Sequence, residues 1–108
     1  MRFSVQFTDA FERDLETLVD YIAENRSVDE ANDLLRKILA KVDSLETLPA
    51  RGAIPKELEV LDAGEIRQTL VGPYRVFYEV VVDVVLVIMV ADGRRDMPRL
   101  LQQRLLGR

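Results

Sequence analysis

The chain has 108 residues and a net charge of −4, and it contains neither cysteine nor histidine. That absence excludes disulfide bonds, thiolate zinc sites, Ser–His and Cys–His nucleophiles and imidazole acid–base chemistry, so we expect no metal and no cofactor. An apolar fraction of 48% beside 31% charged residues is ordinary for a folded globular protein. The length predicts one domain over residues 1–108.

The N-terminus lacks the continuous apolar stretch that a secretory signal needs. The longest apolar run, residues 84–91, is too short to cross a bilayer of about 30 Å as a helix. We therefore expect a cytoplasmic protein that makes no membrane contact.

Charge is distributed unevenly along the chain. Residues 1–63 carry a net charge of −6 and residues 64–108 a net charge of +2, and every basic residue of the second half is an arginine. A contact with an anionic partner should therefore involve the second half. The alternative is that both halves are ordinary solvated surface.

The first half of the sequence predicts a strand followed by two helices. Apolar and polar residues alternate over residues 3–7, as in a half-buried strand. Thr8 is placed to cap a helix of about four turns. Ser27 and Glu30 have the spacing of a capping box that opens a second helix, which ends before Pro49. Together they predict an antiparallel helical hairpin.

The apolar stripes of the two helices are wide. They span arcs of roughly 160° and 140°, against the roughly 100° that one core contact needs. Val19 and Tyr21 lie at the edges of the first arc, and Leu39 lies at an edge of the second. Packing of the helices on each other accounts for most of this width, and an additional partner surface is the alternative.

The second half predicts a loop, three strands and a short helix. Residues 50–64 lack periodicity and are rich in proline and glycine, which indicates a long loop. Strands at 66–71, 74–81 and 84–91 form an antiparallel meander, and the uniformly apolar third strand should be central or covered on both faces. Asp96 can cap a short C-terminal helix. The predicted fold class is α+β.

Two motifs carry a family resemblance. VGPYRVFYEV, residues 71–80, is similar to the glycine turn and Tyr-Arg-Val strand of the RelE/ParE toxin superfamily, and VADGRRD, residues 90–96, is similar to the strand end of its ParE-like members. Both occur in the expected order on the expected elements. The resemblance covers nearly the whole chain and is closer to the ParE branch.

This resemblance implies the toxin of a type II toxin–antitoxin system, which arrests growth by poisoning DNA gyrase through protein contact, with no catalytic residues and no direct DNA binding of its own. It also implies a small cognate antitoxin, ParD-like or of another class, in a hetero-oligomer. The disordered tail of such an antitoxin folds on the helical hairpin and sheet. Candidate contacts are Val19, Tyr21 and Leu39.

The resemblance and strand periodicity together single out four arginines. They are expected to converge on one sheet face or its rim, where guanidinium groups suit an anionic surface of the target. These candidate target-binding residues are Arg67, Arg75, Arg94 and Arg95. The alternative is a set of surface ion pairs, such as Arg75 with Glu79 and Arg94 or Arg95 with Asp92 or Asp96.

A RelE-like, ribosome-dependent mRNA endonuclease is the second functional hypothesis. Arg67 and Arg75 would then stabilise the transition state, and Glu57 or Glu59 would act as the base, although plain solvation also explains both loop carboxylates. The sequence has no histidine and no tyrosine after Tyr78, and its net charge disfavours docking on RNA. A non-toxic binding module that keeps the fold is the third hypothesis.

Overall fold

The computed structural model describes residues 2–58 and 66–106 and confirms the predicted α+β class. The helices and strands follow in the order β1 (Ser4–Phe7), α1 (Asp9–Asn25), α2 (Val28–Asp43), β2 (Ile66–Val71), β3 (Tyr74–Val81), β4 (Val84–Asp92) and α3 (Met97–Leu106). Single 3₁₀ turns lie at Ser44–Glu46 and Lys56–Leu58. In the described ranges, no helix is both long and apolar enough to cross a membrane.

The helical hairpin begins at the two predicted caps. The Thr8 hydroxyl accepts a hydrogen bond from the Phe11 amide at 3.1 Å, and the Ser27 hydroxyl accepts one from the Glu30 amide at 3.0 Å. The second half of the capping box is replaced, because the Glu30 carboxylate pairs with Arg26 at 3.1 Å. Only two residues separate α1 from α2, and the two helices pack directly on each other.

The sheet has the strand order β1-β4-β3-β2. The three strands of the second half form the predicted antiparallel meander, and β1 joins it in parallel beside residues 84–87 of β4. Because β1 has four residues and β4 has nine, the rest of β4 has no strand on that side among the described residues. This open edge of β4 lies next to α1.

Both faces of β4 are buried, as the sequence predicts. A β-bulge lies where Phe77 pairs with Met89 but Tyr78 pairs with Val87, so that Ile88 is an extra residue. Val87 consequently belongs to the core under the helical hairpin, whereas Ile88 and Met89 both belong to the core under α3. The sheet is thus a middle layer between the hairpin and α3.

The described part of the segment predicted as a loop, residues 50–58, is held against β2 and β3. Ala53 forms a β-bridge with Gln68, and the buried Tyr78 hydroxyl donates to the Pro49 carbonyl at 2.8 Å and accepts from the Gly52 amide at 2.9 Å. A Cβ at Gly52 would lie 2.3 Å from the Gln68 carbonyl oxygen, so only glycine fits. Burial raises the pKa of Tyr78, which keeps its hydroxyl protonated as a donor.

The two hairpin turns of the meander differ in their backbone strain. Gly72 has a φ of +57° in the first turn, which glycine adopts without steric cost. Val82 has a φ of +56° in the second turn and is exposed. A β-branched residue in this region is strained.

Replacement of Val82 should therefore stabilise the protein. We expect Val82→Asn to raise the free energy of unfolding by roughly 1 kcal/mol, because asparagine tolerates positive φ. Urea denaturation at neutral pH measures the change. Val82→Ile is the control, since it keeps the β-branch and should give no gain; an equal gain from both variants would contradict backbone strain as the cause.

Candidate functional site

Arg75 lies on the sheet face that α3 covers, and its guanidinium group is held inside the protein. Its two terminal nitrogens bind both carboxylate oxygens of Glu57 at 2.8 Å, and Nε donates to the Gln68 side-chain oxygen at 2.6 Å. The guanidinium carbon lies 5.0 Å from the centre of the Phe77 ring. The side chains of Arg75 and Glu57 are only 13% and 10% exposed, so neither is an open surface group.

This geometry corrects two alternatives considered for these residues. Glu57 is not a solvated loop carboxylate, and Arg75 pairs with Glu57 rather than with Glu79. The hydrogen bonds from Arg75 lower the pKa of Glu57 to about 2, against the opposing effect of burial. Glu59, the other candidate base, lies outside the described residues.

Arg67 does not join Arg75, contrary to the expectation that the arginines converge. In the register between β2 and β3, Arg67 is opposite Tyr78 and Arg75 is opposite Leu70. Residues opposite each other project to the same face of a sheet, and Tyr78 and Arg75 lie an odd number of positions apart. Arg67 therefore belongs to the hairpin face, where it donates to the Gly52 carbonyl at 2.9 Å.

Arg94 and Arg95 lie in the turn after β4 and are exposed. The Gly93 amide donates to the Pro73 carbonyl at 2.8 Å, which fixes this turn against the β2–β3 turn. The Asp92 carboxylate accepts hydrogen bonds from the Arg94 amide and guanidinium, and those bonds lower the pKa of Asp92 to about 2. The ion pair between Arg94 and Asp92, one of the pairs considered as the alternative to a target-binding role, is thus present.

A groove of about 1120 Å³ lies between α1 and the C-terminal end of β4. Its floor includes Leu18, Ile22 and Tyr74. Four arginines lie along it, and we refer to it as the arginine-rimmed groove: Arg13, Arg26, Arg94 and Arg95. The four predicted arginines therefore do not form one cluster. Arg94 and Arg95 join Arg13 of α1 and Arg26 of the turn that follows α1, and the other two are held against the body of the protein.

An ion pair closes part of the open edge of β4 beside this groove. The Asp14 carboxylate accepts from the Val90 amide at 3.2 Å and from both terminal nitrogens of Arg104 at 2.7 and 2.9 Å. Arg104 also donates to the Ile88 carbonyl. These side chains satisfy backbone groups that a neighbouring strand would otherwise bond.

A second groove, of about 420 Å³, lies on the other side of α1. We name it the α1–α2 groove; Phe7, Leu15, Val19 and Leu35 form its apolar part, and Glu12, Glu16 and Asp20 its acidic part. The three predicted antitoxin contacts lie in three different places. Val19 lines the α1–α2 groove, and Tyr21, which is 60% exposed, lines the arginine-rimmed groove. Leu39 is half-buried and packs against the core under the helical hairpin.

Sequence reasoning missed the residues of α1 and α3 that flank the arginine-rimmed groove. One signal was present for Arg13, because it is the only basic residue in an otherwise acidic helix. No local pattern indicates the pair between Asp14 and Arg104, which are 90 positions apart.

In the described part of the chain, no group of three or more acidic side chains is placed to hold a metal ion.

The pair between Arg75 and Glu57 predicts how stability depends on pH. Because the pKa of Glu57 falls from 4.5 to about 2 on folding, the pair stabilises the protein fully above pH 4.5, and this contribution is lost as the pH falls toward 2. The Glu57→Gln variant lacks this ion pair. Its free energy of unfolding at pH 7 should therefore be lower than that of wild type by on the order of 3 kcal/mol, as expected for a broken buried pair. Urea midpoints of both proteins should converge between pH 4.5 and 2.

Asp92 also titrates in that range, but it is present in both proteins and its effect cancels in the comparison. A difference between wild type and Glu57→Gln that stays constant down to pH 2.5 would contradict an ionised, stabilising Glu57.

Comparison with known proteins relates this architecture to a family. The family profile of the ParE toxin of the type II toxin–antitoxin system parDE matches residues 5–97. A search of curated protein sequences gives no significant match.

Solved structures share the fold at low sequence identity. A chain of the chromosomal ParDE toxin–antitoxin system from P. aeruginosa superposes with a TM-score of 0.70 at 15% identity, covering 84% of this chain and 96% of the other. A chain of the toxin–antitoxin complex RelBE2 from Mycobacterium tuberculosis gives 0.60 at 21% identity, covering 85% and 99%. A mutant of the E. coli toxin RelE in its free state gives 0.61 at 14% identity, covering 92% of each chain. The profile match spans most of the sequence and agrees with the fold, and the chain therefore belongs to the ParE family of toxins of type II toxin–antitoxin systems.

Proposed function

We propose that this ParE-family toxin arrests growth by binding DNA gyrase through protein contact, and that a cognate antitoxin of the ParD or another class neutralises it in a hetero-oligomer. The toxin then acts in the cytoplasm as a single domain, without catalytic residues and without direct DNA binding. The observation that carries the proposal is the internal ion pair between Arg75 and Glu57.

That pair removes the two groups on which an mRNA endonuclease would depend. A transition-state cation must face the transferring phosphate, but the guanidinium of Arg75 is bound by Glu57 and Gln68. A general base works best with a pKa near the operating pH, but the pKa of Glu57 is about 2. The packing of α3 on the same sheet face further restricts access for RNA.

Arg94 and Arg95 are the best candidates for contact with the target. Both are exposed in the turn that follows β4, and the bond between Gly93 and Pro73 holds that turn in place. A fixed turn lowers the entropy lost on binding. Arg67 and Arg75, the other candidates from the sequence, instead bind groups of the protein itself: Arg67 binds the Gly52 carbonyl, and Arg75 binds Glu57 and Gln68.

The α1–α2 groove is the proposed docking site of the antitoxin. Its apolar side chains fit the apolar face of an amphipathic helix. Glu12, Glu16 and Asp20 recur every four residues along its rim, and none has an ion-pair partner among the described residues. A helix with basic residues beside its apolar face would complement this groove in both shape and charge.

Gyrase inhibition tests the proposed target. We expect the purified toxin to inhibit supercoiling of relaxed plasmid by purified gyrase, and Arg94→Gln with Arg95→Gln to weaken inhibition at least tenfold, as loss of charged interface contacts does. Arg36→Gln with Arg51→Gln is the matched control, since it removes equal charge from exposed positions outside both grooves. The control should inhibit like wild type.

Induction in a bacterial host separates the alternatives. Arrested DNA synthesis with intact transcripts is the expected result. Codon-phased cleavage of mRNA before replication slows would replace this proposal with the RelE-like endonuclease, whose fold the chain shares. Growth without arrest would indicate a binding module that has kept the fold and lost toxicity.

A substitution in the α1–α2 groove tests the antitoxin site. Val19→Ser should weaken binding of the antitoxin encoded beside the toxin about tenfold, because the buried apolar contact of one valine is lost. Leu70→Ser is the control: Leu70 is 57% exposed on β2, away from α1. Calorimetric titration measures both, and equal affinities for the two variants would place the antitoxin elsewhere.

A further inference from the structure

We propose that the arginine-rimmed groove binds a short acidic segment of the antitoxin, in which an apolar side chain lies between two carboxylates. This inference rests on the proposed function for the identity of the partner. The segment would occupy the opposite side of α1 from the antitoxin helix, so that one partner chain contacts both sides of the same helix.

The charge of the groove sets how many acidic groups it can accept. Its lining contains four arginines and two aspartates, a net charge of +2. Arg13 and Arg95 have no ion-pair partner among the described residues, whereas Arg94 and Arg26 pair with Asp92 and Glu30. Two unpaired guanidinium groups fit two carboxylates, each able to form bidentate hydrogen bonds.

The floor of the groove supplies an apolar contact between these charges. Leu18, Ile22 and Tyr74 line it, and Tyr21 stands at its side with 60% exposure. Tyrosine and arginine dominate the binding energy of protein interfaces, and an exposed tyrosine loses little conformational entropy on binding. The volume of about 1120 Å³ exceeds that of most small-molecule pockets, which suits several consecutive side chains.

The charges on the rest of α1 favour a short peptide segment over a nucleic acid. Glu12, Glu16 and Asp20 lie on the same helix, across a diameter of about 10 Å. A long polyanion in the arginine-rimmed groove would pass within about one screening length of these carboxylates. A segment with only two carboxylates ends before it meets them.

The edge of β4 limits how the segment is bound. Asp14 and Arg104 already satisfy the Val90 amide and the Ile88 carbonyl, so a partner strand cannot pair there without breaking that ion pair. Recognition in this groove therefore depends on side chains rather than on extension of the sheet.

Binding of the purified full-length antitoxin to toxin variants tests this assignment. We expect Arg13→Gln with Arg95→Gln to weaken affinity at least tenfold and to flatten its dependence on NaCl between about 50 and about 500 mM, because two charge pairs are lost. Arg36→Gln with Arg51→Gln should match wild type in both measurements. Thermal unfolding checks that all variants are folded.

The remaining outcomes are distinct. Unchanged affinity and salt dependence in the groove variant, while wild type binds tightly, would overturn this inference and leave the proposed function standing. No binding of the antitoxin by wild type would overturn both. A short single-stranded oligonucleotide that binds wild type but not the groove variant would assign the groove to nucleic acid instead.

Discussion

The need to bury β4 determines most of this structure. The strand is nine residues long and almost entirely apolar, so both of its faces and its open edge must be covered. The helical hairpin covers one face, α3 covers the other, and the bulge at Ile88 directs two consecutive side chains toward α3. Because β1 stops at Phe7, Asp14 and Arg104 cover the next part of the edge. The arginine-rimmed groove lies where this cover ends.

The ion pair between Arg75 and Glu57 shows how a position that suits catalysis on sequence grounds can be structural. Taking two charges out of water costs several kcal/mol each, and the cost is offset only when the geometry is good and other hydrogen bonds complete it. Here the pairing is bidentate, Gln68 binds the third nitrogen, and the Phe77 ring lies beneath the guanidinium group. These contacts anchor the 3₁₀ turn at Lys56–Leu58 to β3. They also give each nitrogen of the Arg75 guanidinium group a partner within the protein.

Local patterns in the sequence were enough to predict the elements but not the site. Local patterns predicted the three α-helices and four strands of the described residues, although not the two 3₁₀ turns, and the spacing of Ser27 and Glu30 located the start of α2. These signals depend on neighbouring residues alone. Strand register is set by tertiary packing, and a one-residue difference moves a side chain to the other face. For that reason the expected convergence of Arg67 with Arg75 was wrong. The pairing of Glu57 with Arg75, across 18 positions, has no local signature.

Helix α1 separates two grooves of opposite charge, and this arrangement bears on how neutralisation would work. If an acidic segment binds Arg95, it occupies an arginine that is also proposed to contact the target. Antitoxin and target would then exclude each other by direct competition, and no conformational change in the toxin would be needed. The α1–α2 groove would then add affinity for the antitoxin without involving Arg94 or Arg95. Because the binding energies at two linked sites combine, even a weak contact between the acidic segment of the antitoxin and Arg95 would then be sufficient to keep this arginine from the target.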